Sequence, residues 1–354
     1  MSDDLQALAA TASRHSDALF GRSLTPSALR VEPIARGTRG VYRVGPLDGS
    51  APSLIAKQRA WATDATRGAS MVQTSHEFAL MTAVRQAMTA VGRADHTVPR
   101  AVLALADEGL IFMEQAGGGS VEHELRRWIV GRRSSRLIAE LVRRCGEWLH
   151  TFAVRAPGAA WPAVDADADT ILRAGRARHH IYCLIGLSGA ELPGAMLAQV
   201  TRRLEAYRVD TGFRARIERA LLHQLTPLAA YDPQGNTHGK YSVADVFADR
   251  DRVVPIDLEQ AGKASLYLDA AYFLFQMAMS TRWRPLGARR AAASFRESFL
   301  RGRSPAGELD ERVIDAFIGY YLVNSLRPGD GIAGMTARAY ARQWLEDWLR
   351  RAGV

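Results

Sequence analysis

The sequence predicts an α+β fold in which a small antiparallel β-sheet lobe with one main helix is followed by a large, mostly helical lobe. Three observations predict it. The chain has 354 residues, too many for one ordinary hydrophobic core. Short apolar runs of strand length, bounded by Gly, Pro and Asp, gather before residue 115 with a single helical pattern among them. From about residue 120 the apolar spacing becomes helical almost throughout. The expected division is a helical extension over residues 1–28, a smaller lobe over 29–115 and a helical lobe over 116–354.

In chain order, strands are expected at Leu29-Arg-Val-Glu32, Val41-Tyr-Arg-Val44 and Leu54-Ile-Ala-Lys57, separated by glycine turns. Phe78, Met81, Val84, Ala87, Met88 and Val91 predict a helix over 74–91, with Thr74 and Ser75 in its cap region. Val98 to Leu105 and Gly109 to Met113 read as two more strands, closed by Glu114-Gln-Ala-Gly-Gly-Gly-Ser120, a glycine-rich hinge. Beyond it a helix is expected over Leu141 to Phe152. The only clear β signal there is Val246-Phe-Ala248 and Val253-Val-Pro-Ile256, either side of the turn Asp249-Arg-Asp-Arg252. Tyr340, Trp344 and Trp348 recur every four residues in the last helix, a spacing that predicts core packing.

Composition narrows the function. Hydrophobic residues at 47% and charged residues at 23% suit a folded globular protein rather than a disordered one. The longest apolar stretch, Ala270 to Met279, is too short to span a bilayer, so no membrane partner and a cytoplasmic location are expected. Cys145 and Cys183 sit in no CxxC or His-rich spacing and are expected to be reduced core residues. The formal charge of +9 argues against a polycationic substrate. The densest arginine group, from Arg126 to Arg136, reads as a solvated helix face, and no nucleic-acid module accompanies it. No Gly-x-Ser-x-Gly or His-Glu-x-x-His occurs, and Gly235-Asn-Thr-His-Gly-Lys240 is one residue short of a P-loop and lacks its Ser or Thr.

Of 46 basic residues only three are lysines, Lys57, Lys240 and Lys263. A chain that uses arginine for ordinary surface cations keeps a compact ammonium where a point charge is needed, as at a phosphate. Lys57 ends an expected strand. Before it lies the turn Arg36-Gly-Thr-Arg-Gly40, in which Gly37 and Gly40 let backbone N–H groups approach phosphate oxygens. Glu77, on the following helix, is the natural partner for Lys57, and together they make the arrangement that orients a nucleotide for phosphoryl transfer.

With the later His238-Gly-Lys-Tyr-Ser-Val-Ala-Asp245 and Ile256-Asp-Leu-Glu259, the chain resembles the aminoglycoside phosphotransferase and choline kinase-like family, a branch of the protein-kinase-like bilobal fold. The resemblance runs from about Leu29 to the C-terminal helices. Val98-Pro-Arg100, Leu110-Ile-Phe-Met-Glu114 with Gly117-Gly-Gly-Ser120, and Cys145-Gly-Glu-Trp-Leu-His150 look like that family's N-lobe strand, hinge and first C-lobe helix. Tyr267-Leu-Asp-Ala-Ala271 resembles the Asp-containing start of a later helix. The resemblance implies ATP and Mg²⁺ as cofactors, with Lys57 on the phosphates, Asp257 on the metal, and Glu114 to Ala116 meeting the adenine through backbone groups. It implies a catalytic loop of His238, Lys240 and Asp245, and an acceptor cleft in which Arg173, Arg176, Arg178 and Arg282 are candidate cations. The expected partners are a nucleotide and a small hydroxylated acceptor, anionic if the net charge reports on it.

The chain departs from the pattern at two positions. Where the family has a catalytic Asp that accepts the hydroxyl proton, this sequence has Lys240, and where it has a metal-binding Asn, this one has Asp245. Lysine is no base at its ordinary pKa, whereas Asp245 is a competent hard oxygen ligand for Mg²⁺. Two readings stay open: a phosphotransferase in which Lys240 acts electrostatically, and a nucleotide-binding pseudoenzyme. Transfer of a nucleotidyl group is a third. Glu259 is open between a second metal and a structural salt bridge, and His150 is expected to pack or hydrogen-bond rather than react.

Overall fold

The structure, a computed structural model, describes residues 3–34, 40–59, 64–156, 162, 166–177, 180–281, 288–325 and 343–353. Gly37, Arg178, Arg282 and Tyr340 fall outside these residues, as does the side chain of Arg176. The chain folds into two compact units. One takes the described residues of Met1–Gly118, Pro157–Gly175 and Val254–Glu259, and the other takes those of Gly119–Ala156, Arg176–Val253 and Gln260–Val354.

The first unit begins with two helices, α1 (Asp3–Arg14) and α2 (Ser16–Phe20). Asp3 and Asp4 in the first turn of α1 and Arg14 in its last oppose the helix dipole. Leu8, Ala9 and Ala12 line one side of α1 and bury against Leu29, Val31, Val44, Leu54 and Phe112. Those residues belong to a five-stranded antiparallel sheet of β1 (Leu29–Pro33), β2 (Val41–Pro46), β3 (Leu54–Gln58), β4 (Ala101–Leu105) and β5 (Leu110–Glu114), in the order β1-β2-β3-β5-β4. Across β3, Lys57 pairs with Val41 on one side and Ile111 on the other. Alternation buries Leu54 and Ala56 on one face of β3 and puts Ile55 and Lys57 on the other.

The main helix of this unit, α3 (Asp64–Ala90), starts ten residues before the expected 74. Thr74 is therefore not in a cap region. It is buried in mid-helix, where its hydroxyl donates to the Ser70 carbonyl one turn back at 2.7 Å. Glu77 shares the buried face with Thr74, Met81, Val84 and Met88, spaced at three or four residues. Strand β4 begins at Ala101 rather than Val98 because Pro99 has no N–H to give a ladder.

In the second unit, β6 (Gly119–Ser120) lies within the expected glycine-rich hinge, and Ser120 caps α4 (Val121–Ile129) by accepting the His123 N–H. α5 (Ser135–His150) starts six residues before the expected Leu141, behind the Ser134 cap, and ends in a π turn, Thr151–Arg155. α6 (Ala166–Ala177) comes next in the chain and belongs to the first unit through Gly175, and α7 (Leu192–Ala206) and α8 (Thr211–Ala230) continue the second. Then come β7 (Gln234–Thr237), β8 (Val246–Ala248) and β10 (Gly262–Ser265), while β9 (Val253–Pro255), between β8 and β10 in the chain, passes into the first unit at Val254. The sequence signals β8 and β9 but not β7 and β10, which pair antiparallel with Lys263 opposite Asn236. Gln-Gly-Asn-Thr and Gly-Lys-Ala-Ser have little intrinsic strand preference, so it is the pairing that makes them strands. α9 (Tyr267–Thr281), α10 (Ala288–Arg303) and α11 (Glu311–Ser325) complete the unit with helical residues 343–351. Trp348 is fully buried in that last helix, and its ring fills the space beside Gly319 of α11, as its spacing predicts. Among the described residues no helix is long and apolar enough to cross a membrane.

Candidate active site

The first unit gathers five charged side chains from three stretches of chain. Lys57 Nζ lies 2.8 Å from Glu77 Oε1 and 2.7 Å from Asp257 Oδ1, with Glu259 Oε2 at 3.6 Å. Arg59, two residues on from Lys57, places Nη2 at 2.7 Å from Glu77 Oε2 and 2.5 Å from Glu259 Oε2. Glu77 is buried, while the other four keep about a fifth of their side-chain surface in solvent. Three carboxylates against two cations leave the cluster one negative charge in excess. Burial pulls the Lys57 pKa down, but Glu77, Asp257 and Glu259 together outweigh it and raise it above its ordinary value. Arg59 is raised in the same way, with burial opposed by Glu77 and Glu259. Lys57 is therefore a fixed ammonium, suited to a phosphate and not to proton transfer.

Local geometry sets this up. Asp257 has φ +66, one of two non-glycine residues in the left-handed region among those described. Aspartate tolerates that conformation better than most residues. The next residue, Leu258, is fully buried, which anchors the segment between Asp257 and Glu259. Oxygen atoms of Glu77, Asp257 and Glu259 all lie within 4.8 Å of one another. A hard-oxygen donor set of this kind fits Mg²⁺. Behind the strand, Gly40 has φ +79, and a Cβ there would come 2.1 Å from the Gln58 carbonyl oxygen, so only glycine fits.

Glu114 ends β5. Its carboxylate takes Arg85 at 3.0 Å and both the Arg100 side chain, at 2.9 Å, and backbone N–H, at 3.1 Å. The Glu114 side chain is thus occupied in tying β5 to α3 and to the entry of β4. Ala116 lies two residues on, half-buried in the loop that follows β5.

The second unit holds the His238 to Asp245 loop. Its organiser is Asp269 at the start of α9, 1% exposed. The Asp269 carboxylate accepts the backbone N–H of His238 at 2.5 Å, Tyr241 at 3.2 Å and Gly239 at 3.4 Å. Burial pushes its pKa up, opposed by His238 and by these N–H groups. Gly239, at φ +88, has the Gln260 carbonyl where a Cβ would lie, 2.7 Å away. His238 is fully buried, edge-on to the Tyr241 ring at 5.7 Å, and the Tyr241 hydroxyl donates to the Cys145 carbonyl at 2.9 Å. On this pinned loop Lys240 Nζ lies 3.6 Å from Asp245 Oδ2, and the Ser242 hydroxyl donates to the same oxygen at 2.9 Å.

The structure therefore brings Lys57, Glu77 and Asp257 together in one unit, and His238, Lys240 and Asp245 together in the other. Glu259 pairs with Arg59 and also stands in the carboxylate set that could hold a metal ion, so both of its expectations stay open. Arg59 itself is missed by motif reading. Its signal was the two-residue spacing from Lys57, which puts both on one face of a strand. Asp269 as holder of the loop was also missed, because nothing in the sequence ties a helix-start carboxylate to backbone groups about 30 residues earlier. His150 hydrogen-bonds through Nδ1 to the Arg303 carbonyl at 3.1 Å, as expected of a packing residue. Cys145 is buried and both cysteines are free. Arg126 and Arg127 pair with Glu122 and Glu124 on α4, in keeping with a solvated face, and Arg173 pairs with Asp169.

No family model matches the chain, and no curated protein does. Solved structures match it along nearly its whole length. A macrolide 2'-phosphotransferase from Brachybacterium faecium is 16% identical at TM-score 0.52, over 99% of this chain and 98% of that one. A choline/ethanolamine kinase family protein from Mesorhizobium loti is 13% identical at TM-score 0.54, over 98% and 99%. The chain has the protein-kinase-like fold of aminoglycoside phosphotransferases and choline kinases. An amicoumacin kinase in complex with AMP-PNP and Ca²⁺ is a further structure of this kind, 15% identical at TM-score 0.51 over 99% and 93%. With this fold, the Lys57 cluster belongs to the unit that carries the five-stranded sheet, and the His238 loop belongs to the helical one.

Proposed function

We propose that the chain is an ATP- and Mg²⁺-dependent phosphotransferase acting on a hydroxyl of a small molecule. The observation that carries this reading is Lys57, held by Glu77 from α3 and by Asp257 from a left-handed turn. Such a lysine is spatially fixed, permanently charged and partly open to solvent, which is what the phosphates of a nucleotide require. Three similar folds are those of kinases or phosphotransferases named for a macrolide, for choline or ethanolamine, and for amicoumacin, which supports a small-molecule acceptor.

Asp257, with Glu259 and Glu77 beside it, would hold the divalent cation. When bound, that cation supplies positive charge against the phosphate oxygens. Lys57 fixes the phosphates, Gly40 keeps the backbone close to them, and the segment Glu114 to Ala116 meets the base through backbone groups. The P–O bond to ADP breaks as the acceptor oxygen forms its new bond to phosphorus, and the hydroxyl proton is released. Because this transition state is loose, the oxygen needs little deprotonation in advance, and an aspartate base is not essential. Lys240 contributes positive charge in place of that base. The net charge of +9 favours an acceptor that is not itself strongly cationic.

Calorimetric titration with ATP, with and without Mg²⁺, on the wild type and on Asp257→Ala, tests the reading. Magnesium-dependent binding that is lost in the variant is expected. Absence of binding under every condition overturns it. Binding without ADP release across a panel of hydroxylated acceptors favours the pseudoenzyme instead.

A further inference from the structure

Lys240 and Asp245 depart from the usual pattern together, and the departures are complementary. One position loses a carboxylate and gains an ammonium, while the other exchanges a neutral amide for a carboxylate. In the structure they meet, with Nζ 3.6 Å from Oδ2. The His238 to Asp245 loop that carries them has little freedom. Asp269 holds three of its backbone N–H groups, Tyr241 is anchored on Cys145, and Ser242 donates to the very oxygen that faces the ammonium. Burial raises the pKa of the Tyr272 phenol, on α9, and the phenol also feels both charges, Lys240 lowering that pKa and Asp245 raising it.

The two acidic sites differ in what they offer a dication. The Glu77, Asp257 and Glu259 set has three carboxylates for two cations. The loop pair is neutral, and a cation reaching Asp245 must displace an ammonium on a short tether, whose local concentration cannot be diluted away. In protein kinases the residue at the Asp245 position serves a second Mg²⁺.

We infer that Lys240 is a built-in replacement for that second metal: its ammonium occupies Asp245, and the nucleotide-loaded chain takes up a single divalent cation, through Asp257. The inference rests on the nucleotide-binding reading above. It also gives the two substitutions one cause, since a tethered cation needs a carboxylate to hold it and leaves no room for a carboxylate base at 240.

The test counts Mn²⁺ bound per full-length chain, from the electron paramagnetic resonance signal of free Mn²⁺, in saturating AMP-PNP whose binding is first measured by calorimetry. One Mn²⁺ is expected for the wild type, two for Lys240→Met and for Lys240→Gln, and one again for Lys240→Met combined with Asp245→Ala. Two in the wild type, or one in both single variants, overturns the inference. Should neither single variant fold by thermal melting, the wild-type count decides, and two sinks it. Failure of AMP-PNP to bind the wild type removes the nucleotide-binding reading itself, and the calorimetric arm separates that result from a wrong metal count.

Discussion

Both the Lys57 cluster and the His238 loop are built around a buried carboxylate, but the two carboxylates hold different things. Glu77 binds side chains. It takes one cation on each oxygen, Lys57 at 2.8 Å and Arg59 at 2.7 Å, and those cations stay partly solvated and able to exchange partners. Asp269 binds backbone, accepting three N–H groups from a loop that has no other regular structure to satisfy them. A carboxylate that holds side chains makes a charged surface that a ligand can re-pair. One that holds backbone makes a fixed shape. The first suits binding, and the second suits the placing of Lys240 and Asp245.

Substitutions can break that comparison, and the largest effect belongs to the backbone holder. Asp269→Ala leaves three N–H groups buried without an acceptor and should cost about 3–5 kcal/mol of stability in urea unfolding. A loss below about 1 kcal/mol would mean that the loop does not depend on Asp269. Lys57→Met should cost less, about 2 kcal/mol, because Arg59 still faces Glu77. Its main effect should be on ligand, with AMP-PNP affinity down at least about tenfold by calorimetry, or about 1.4 kcal/mol. Unchanged affinity would separate the cluster from nucleotide binding. Arg59→Met should cost about 1 kcal/mol and weaken AMP-PNP by less than Lys57→Met, since Arg59 touches Glu77 and Glu259 but not Asp257. An equal or larger loss would give Arg59 a phosphate contact of its own.

The smallest effect is one of pH. Burial lowers the His150 pKa below its ordinary 6.5, opposed by its bond to the Arg303 carbonyl. The unfolded chain then binds the proton more readily than the folded one, so stability falls as pH drops through and below about 6.5. Unfolding midpoints at pH 7 and pH 5 should differ in that direction, and His150→Gln should reduce the difference. A variant with an unaltered difference would move the pH dependence to other groups.

Much of the first region was legible in the sequence. The alternation of Leu54, Ile55, Ala56 and Lys57 marks a strand, and Lys57 followed by a helical glutamate marks an ion pair. The helix start was misplaced because Thr74 and Ser75 look like cap residues, while residues 64–73 show weak apolar periodicity. The helix there draws its stability from the buried face shared by Ser70, Thr74 and Glu77, which polar residues conceal. The second region was legible as a motif, His-Gly-Lys and a later Asp, but not as a structure. Its strands β7 and β10 are made by pairing, and its loop is held by Asp269, which the motif places at the start of a helix without tying it to the loop.

The sequence by itself determined which residues could act: a lone strand lysine, a helical glutamate, the Ile256-Asp-Leu-Glu259 segment and a loop with lysine where aspartate is usual. These are local matters, set by alternation, helical spacing and the chemistry of single side chains. Tertiary structure alone decided the partners. Lys57 meets Asp257 across 200 residues of chain, Arg59 meets Glu259 across the same distance, and Asp269 reaches back 31 residues to the His238 N–H. No periodicity encodes such pairings. They follow from burial, because each charge taken out of water has to find its complement among whatever groups the packed core leaves within reach.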